Sequence, residues 1–318
     1  MTEPVVSIVI PAYNVSQYIA EALDSVFAQT SPDFEVLVNN DGSPDTPALE
    51  VVLARYTDPR LVYIKTDVNK GISSARNACI RAARGEFVAF LDGDDKWKPE
   101  YLRRMVDAMR ADPRLSVLYS DCIAFGPTPF AGRTYMSLWP SIRPVTLEAL
   151  LAGRATPTTS SVMLRRPALL EVGMFDENQR YVEDFDLWCR LAANGKRFDF
   201  IEEPLAMRRA GGAQTANSVA CFNNIVRVFE KNKNLPGLTE THHRIIEDSI
   251  ERYRAELDLH LGKRSLEEKK YGDAKEHLKR ANTYLKRPKL RVIIALLSVA
   301  PLLARALNNY RKKAQSPA

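Results

Sequence analysis

The chain has no G-x-x-x-x-G-K-[ST] segment and no G-x-G-x-x-G after its first apolar run. Both absences argue against a P-loop kinase and a dinucleotide-binding dehydrogenase. Its four cysteines, Cys79, Cys122, Cys189 and Cys221, lie far apart with no C-x-x-C pair. That spacing speaks against a zinc site or a disulfide framework and fits reduced thiols in the cytosol. The longest apolar stretch falls well short of the roughly 20 residues that span a bilayer. The opening "MTEPVVSIVIPAYN" has no basic leader, and its apolar run is too short for a signal peptide. An excess of one charge is also missing. A formal net charge of +6 over 318 residues is far from the basic stripe of a dedicated nucleic-acid binder, so no nucleic-acid partner is expected.

What remains is an ordinary globular composition, 45% apolar and 26% charged, in a chain long enough for one large α/β domain plus an appendage. The first 100 residues alternate apolar runs with helical spacing. "VVSIVIPAY", "FEVLV", "RLVYI" and "EFVAFL" read as strands. Ile19, Ala22, Leu23, Val26 and Phe27 share one helical face, and "GISSARNACIRAARG" reads as a helix closed by Gly85. Such alternation predicts a largely parallel sheet covered on both faces, with ligands beyond the carboxyl ends of its strands. Tyr13, Asp41 and Asp92 to Asp95 all fall at such ends.

The middle, 101–215, mixes strands and helices around "FGPTPFAGRTYMSLWPSIRP", an aperiodic segment that reads as a loop region over a cleft. From 216 to 318 the strand signals stop. "RAELDLHLGKRSLEEKKYGDAKEHLKRANTYL" reads as a helical hairpin with Leu257, Leu261, Tyr271, Ala274, Leu278 and Ala281 as its seam. After it, residues 290–307 form a short apolar helix with basic flanks. Two readings stand for it: an interfacial membrane anchor, or a terminal helix packed on the protein itself. The division expected is therefore 1–215 for the α/β domain, with halves 1–100 and 101–215, and 216–318 for a helical region.

Three clusters carry chemistry. In "FLDGDDKW", Asp92, Asp94 and Asp95 crowd together after a strand, with Gly93 letting the backbone bend. Like charges this close are unfavourable alone, and a hard divalent cation bound to a diphosphate would relieve them. The plain alternative is an acidic cap on the helix near Pro99. In "NNDGS", Asp41 sits at a strand–turn–helix junction, where a carboxylate can accept from a nucleobase N–H. In "VEDFDLW", Asp186 reads as a helix-start acid, whereas Asp184 could deprotonate a hydroxyl nucleophile.

Four segments, "VSIVIPAYN", "EVLVNNDGS", "NKGISSARNACIRAARGEFVAFLDGDD" and "EDFDLWCRLAANG", taken in order over residues 5 to 210, resemble glycosyltransferase family 2. The resemblance implies a GT-A, Rossmann-like fold and an inverting transferase that uses a nucleotide-sugar donor, a UDP-sugar being favoured, with Mn²⁺ or Mg²⁺. It assigns Pro11, Tyr13, Asp41, Arg76, Asp92 and Gly93 to the donor. It places Asp94 and Asp95 beside the metal and diphosphate without deciding which ligates, and makes Asp184 the catalytic base. For Arg76 a plain surface arginine is the alternative. A glycan or lipid-linked acceptor in cell-surface polysaccharide synthesis is implied, on the cytoplasmic side, with 290–307 as a candidate membrane contact. There are departures. Ala210 stands two residues after Arg208, where relatives have a histidine, and the Q-x-x-R-W element of processive synthases is missing. A single-sugar or short-chain transferase is the better expectation. The rival is a nucleotide-sugar-binding scaffold acting through its C-terminal helices. A sugar-nucleotide pyrophosphorylase would need a glycine-rich loop where "PAYNVSQ" stands.

Overall fold

The computed structural model describes residues 3–210 and 218–299. They fall into two compact units. One comprises the residues up to 210 with 235–238, and the other 218–234 with 239–299.

The strands of the first unit are β1 (Val6–Ala12), β2 (Phe34–Asp41), β3 (Leu61–Thr66), β4 (Phe87–Phe90), β5 (Lys96–Trp97), β6 (Leu115–Phe125), β7 (Val162–Arg165) and β8 (Arg197–Arg209). Between them run α1 (Ile19–Phe27), α2 (Thr46–Leu53), α3 (Ile72–Ala82), α4 (Tyr101–Ala111), α5 (Tyr135–Leu138), α6 (Leu147–Leu151), α7 (Arg166–Glu171) and α8 (Glu183–Ala193). All eight strands join one sheet in the order β3-β2-β1-β4-β7-β6-β8-β5. The parallel sheet expected from the first 100 residues is its β3-β2-β1-β4 half. In the other half β7 runs antiparallel to β4 and β6, β8 is parallel to β6, and β5 is antiparallel to β8.

Every residue of β1, β2 and β4 is buried, as predominantly apolar strands are when helices cover both faces, and the polar Ser7 and Glu35 pair with each other at 2.7 Å. Side chains alternate between two cores. Val6, Ile8 and Ile10 face α1 and α4 through Leu23 and Met105. Val9, Leu37 and Val88 face α3 and α8 through Ile80 and Trp188.

Two local readings are corrected. Strand β4 stops at Phe90, and Asp92 to Asp95 form a turn closed by the Asp95 N–H to the Asp92 carbonyl at 3.0 Å. The directions of Asp92 and Asp94 are thus set by that turn. The acids do not cap a helix either, because β5 intervenes before α4. In addition, β8 escapes a periodicity reading, since "RFDFIEEPLAMRR" holds paired glutamates and Pro204. Pro204 faces Asp121 at an irregularity in the β6–β8 register, where a strand tolerates proline.

The second unit is helical: α9 (Ser218–Asn232), α10 (Glu240–Glu267), α11 (Tyr271–Leu285) and α12 (Pro288–Val299). Thr239 and His242 form a capping box that starts α10. The hairpin seam expected on Leu257 and Leu261 lies instead on Ala255, Leu259, Gly262 and Leu266, while Ala274, Leu278 and Ala281 of α11 are buried as expected. The reason is Gly262, where a Cβ would stand 2.7 Å from Leu278 Cδ2. Close helix approach at that point fixes the face. Leu290, Ile293 and Leu297 of α12 pack into the same cluster. Among the described residues no helix is long and apolar enough to cross a membrane. The part of the candidate membrane helix beyond 299 lies outside them. None of the four cysteines forms a disulfide.

Candidate active site

Neighbouring parallel strands β2, β1 and β4 end side by side, and the chain leaving each end brings Asp41, Tyr13 and the acid turn to one edge of the sheet. Tyr13 is 48% exposed. Asp41 is buried and pins the segment that leads into α3. Its Oδ2 accepts the Gly71 N–H at 2.7 Å, both oxygens share the Lys70 N–H at 3.0 Å, and Oδ1 accepts the Thr66 hydroxyl at 3.2 Å. Gly42 follows with φ +58°, and a Cβ there would stand 2.6 Å from the Asn69 nitrogen, so both the left-handed backbone and the close approach demand glycine. Gly93 is crowded in a similar way: a Cβ would lie 3.0 Å from Val15 Cγ2 and 3.3 Å from the Pro11 carbonyl. The acid turn therefore rests directly on the end of β1.

Arg76 of α3 is 1% exposed, which excludes the surface-arginine alternative. Its Nη2 donates to Asp92 Oδ1 and its Nη1 to Glu183 Oε1, each at 2.7 Å. Burial opposes its charge, but the Asp92 and Glu183 carboxylates outweigh that and raise its pKa above the ordinary value. Burial pushes the Glu183 carboxyl up to about 7, with Arg76 pulling it down and Asp184 adding to the rise. Val182, just before this helix, has φ +61°, a conformation that a β-branched side chain rarely adopts and one that clusters at functional sites. Asp186 is fully buried and bound to Arg190 Nε at 2.8 Å, the structural role expected of it.

One short 3₁₀ turn, Thr159–Ser161, joins the two groups of acids. The Thr159 hydroxyl donates to Asp184 Oδ2 at 2.8 Å, and Asp184 Oδ1 accepts the Phe185 N–H at 2.7 Å. Ser160 Oγ donates to Asp95 Oδ2 at 2.6 Å and accepts the Asp92 N–H at 3.1 Å. Trp97 Nε1 donates to the Ser160 carbonyl at 2.6 Å. Sequence reasoning missed both Thr159 and Ser160. Only their position just ahead of the strand "VMLR" hints at them.

Asp94 and Asp95 differ. Asp95 is 2% exposed, and its second oxygen accepts the Arg209 N–H at 2.7 Å. Burial, then the charges of Asp92 and Asp94, push its pKa well up. Asp94 is half-buried, and no side chain among the described residues donates to it. Burial and the Asp92 charge raise its pKa too. A carboxylate with so little compensation, beside a second one, is a hard-oxygen donor set that fits a hard cation. Among the described residues no group of three acids, histidines or cysteines could hold a metal unaided. A cation there would need oxygens from a bound ligand as well.

The strand carrying the histidine departure supplies arginines to the site. Arg209 Nε donates to the Asp94 carbonyl at 3.0 Å and its Nη2 to Glu21 at 2.8 Å. Arg208 Nη1 donates to the Tyr135 hydroxyl at 2.8 Å. Ala210 only continues the backbone pairing, its N–H reaching the Phe125 carbonyl at 2.9 Å.

Residues 7–173 match the family model described as Glycosyl transferase family 2. An uncharacterized glycosyltransferase of Rickettsia typhi is 31% identical over 226 residues, 68% of this chain and 67% of that protein. Chondroitin synthase of Escherichia coli is 40% identical over 118 residues, 37% of this chain but 17% of that protein. Among solved structures, S. aureus TarS 1-349 in complex with UDP-GlcNAc superposes with a TM-score of 0.64 at 20% identity, covering 98% of this chain and 93% of that one. The mannosyltransferase PcManGT from Pyrobaculum calidifontis, in complex with GDP-Man and Mn²⁺, gives 0.61 at 20% identity, covering 98% and 89%. The fold is that of GT-A transferases, and the chain belongs to glycosyl transferase family 2.

Proposed function

We propose that this chain transfers one sugar, with inversion, from a nucleotide diphosphate sugar to a hydroxyl of a glycan or lipid-linked acceptor of a cell-surface polysaccharide. The observation that carries the proposal is the turn Thr159–Ser161, which ties the Asp184 carboxylate to the acid turn 92–95 through adjacent residues. An acceptor-side base is thereby held in register with a donor-side cation site. A UDP-sugar is the favoured donor, in keeping with the relative solved with UDP-GlcNAc.

Tyr13 and Asp41, at the ends of β1 and β2, flank the nucleobase, with Pro11 and Gly93 forming the floor between base and sugar. Arg76 holds Asp92 in one orientation beside the ribose and sugar, and its buried positive charge lies near the diphosphate. Asp94 is the residue that would hold Mn²⁺ or Mg²⁺. Asp95, buried and bonded on both oxygens, fixes the turn that presents it. Bound there, such a cation would supply positive charge against the departing diphosphate. Asp184, with one oxygen on Phe185 N–H and the other on Thr159, keeps a lone pair for the acceptor hydroxyl and takes its proton. Displacement in one step from the face opposite the leaving group inverts the anomeric carbon and needs no enzymic nucleophile.

The test is a donor-hydrolysis screen over UDP-, GDP- and dTDP-sugars with Mn²⁺, with Mg²⁺ and with EDTA. Turnover of one donor series that EDTA abolishes is the expected result. Donor binding without turnover under every condition would favour the scaffold reading, and no binding of any nucleotide sugar would overturn both.

A further inference from the structure

The segment between β6 and α6 holds three exposed apolar side chains, Phe130 at 43%, Trp139 at 48% and Ile142 at 39%. Phe130 meets Trp139 edge-on with centroids 6.4 Å apart, and Tyr135 lies 5.5 Å from Trp139. These rings connect to the acid cluster. The Tyr135 hydroxyl accepts from Arg208, whose guanidinium feels the charges of Asp95 and Asp92. The Met136 N–H donates to Asp121 Oδ1 at 2.9 Å, which seats α5 at the end of β6. Tyr135 is thus held at the end of β6 with its ring partly packed on the core, while Phe130 and Trp139 stay exposed beside it.

The size of the patch selects its occupant. A full aromatic side chain presents roughly 150–250 Å², so the three partly exposed rings together offer about 300 Å² at most. That falls far below the roughly 800 Å² per partner of a stable protein interface. A lipid surface calls for a continuous apolar face, and here the exposed Arg133 and Ser137 interrupt the rings. A pyranose suits the patch. Its C–H face lies against the electron-rich face of an aromatic ring, and its hydroxyl rim can reach Tyr135 and Arg208. We propose that Phe130, Tyr135 and Trp139 form a subsite that stacks a pyranose ring of a glycan acceptor. This rests on the transferase reading above and narrows its acceptor to one that presents a sugar ring rather than a bare lipid hydroxyl.

The chain has three tryptophans. Trp97 is 3% and Trp188 1% exposed, so acrylamide quenching of tryptophan fluorescence reads Trp139 without any turnover. The full chain, with and without saturating UDP, is titrated with chitotetraose, cellotetraose and a chondroitin tetrasaccharide, and UDP binding is measured by calorimetry on the same samples. At least one saccharide should reduce quenching about twofold. Phe130→Ala should weaken that saccharide's binding about three- to tenfold, the range of one aromatic contact, and leave UDP binding unchanged. Trp139→Phe should remove the signal and confirm its source. Protection by none of the saccharides overturns the subsite, and if UDP still binds, the transferase reading survives it. Protection only by phosphatidylglycerol vesicles, or only by raising the protein concentration, also overturns it, in favour of a lipid surface or a second copy of the chain.

Discussion

Thr159 and Asp184 are joined by a hydrogen bond of 2.8 Å from a residue 25 positions earlier in the chain. With the Phe185 N–H on its other oxygen, the Asp184 carboxylate has one orientation. Thr159→Val keeps the shape and removes the donor. Transfer should fall about tenfold, less than the roughly 10²–10⁴-fold lost when the base itself is removed, while donor binding stays unchanged. Thr159→Ser should restore transfer. Equal activity of the valine and threonine proteins would show that Asp184 is positioned by other means.

Ser160→Ala should act on the donor side instead. It leaves one buried oxygen of Asp95 and the Asp92 N–H without their partner. An unsatisfied buried group costs about 1–3 kcal/mol, so thermal unfolding should shift down by several degrees. Donor KM should rise more than kcat falls. An unchanged melting temperature together with an unchanged donor KM would contradict the role given to this hydroxyl.

Asp94→Ala separates stability from function. Burial and the neighbouring Asp92 charge raise the Asp94 pKa, so holding its charge costs more in the folded protein than in the unfolded one. Removing it should leave metal-free stability equal or higher and abolish metal-dependent donor turnover. EDTA should do the same to the unaltered protein. Full turnover in EDTA would remove Asp94 from any metal role.

Glu183 predicts a pH dependence of folding. Its folded pKa of about 7, raised by burial, lies above the ordinary value of about 4.3. The folded state then binds more protons than the unfolded one between those values, so the Glu183 contribution is full below about pH 4 and is lost as pH rises through 7. The span is on the order of a few kcal/mol for a buried carboxyl with so large a shift. Melting temperatures from pH 5 to 8 should therefore fall more steeply for the unaltered chain than for Glu183→Gln. Parallel profiles would contradict the raised pKa.

The parallel half of the sheet was legible because β1, β2 and β4 are apolar runs buried on both faces, a pattern that needs no partner to be recognised. The same runs placed Tyr13, Asp41 and the acid turn at strand ends. What stayed hidden depends on distant residues. Ser160 meets Asp95 across 65 positions, and "TPTTSS" carries no local mark of it. Nothing in "DGDD" distinguishes the buried Asp95 from the more open Asp94, since Arg209 and Ser160 make the difference from distant parts of the chain. Strand β8 was hidden by Pro204, which is acceptable only because of the irregular register opposite Asp121. The α10 seam was misplaced by two residues because leucine was weighed over Gly262, whose lack of a side chain admits Leu278.

The central claim is that Asp184 acts on the acceptor and not on the donor. Asp184→Asn is nearly isosteric and can still accept from Thr159, but it is a very poor base. Calorimetric donor binding and product formation should be measured side by side on this variant and on Asp41→Ala. The account predicts near-normal donor binding with transfer reduced about 10²-fold or more for Asp184→Asn, and weakened donor binding for Asp41→Ala, whose carboxylate also secures the loop at Lys70 and Gly71. Near-normal transfer by Asp184→Asn would contradict it and move the search for the base to Glu183.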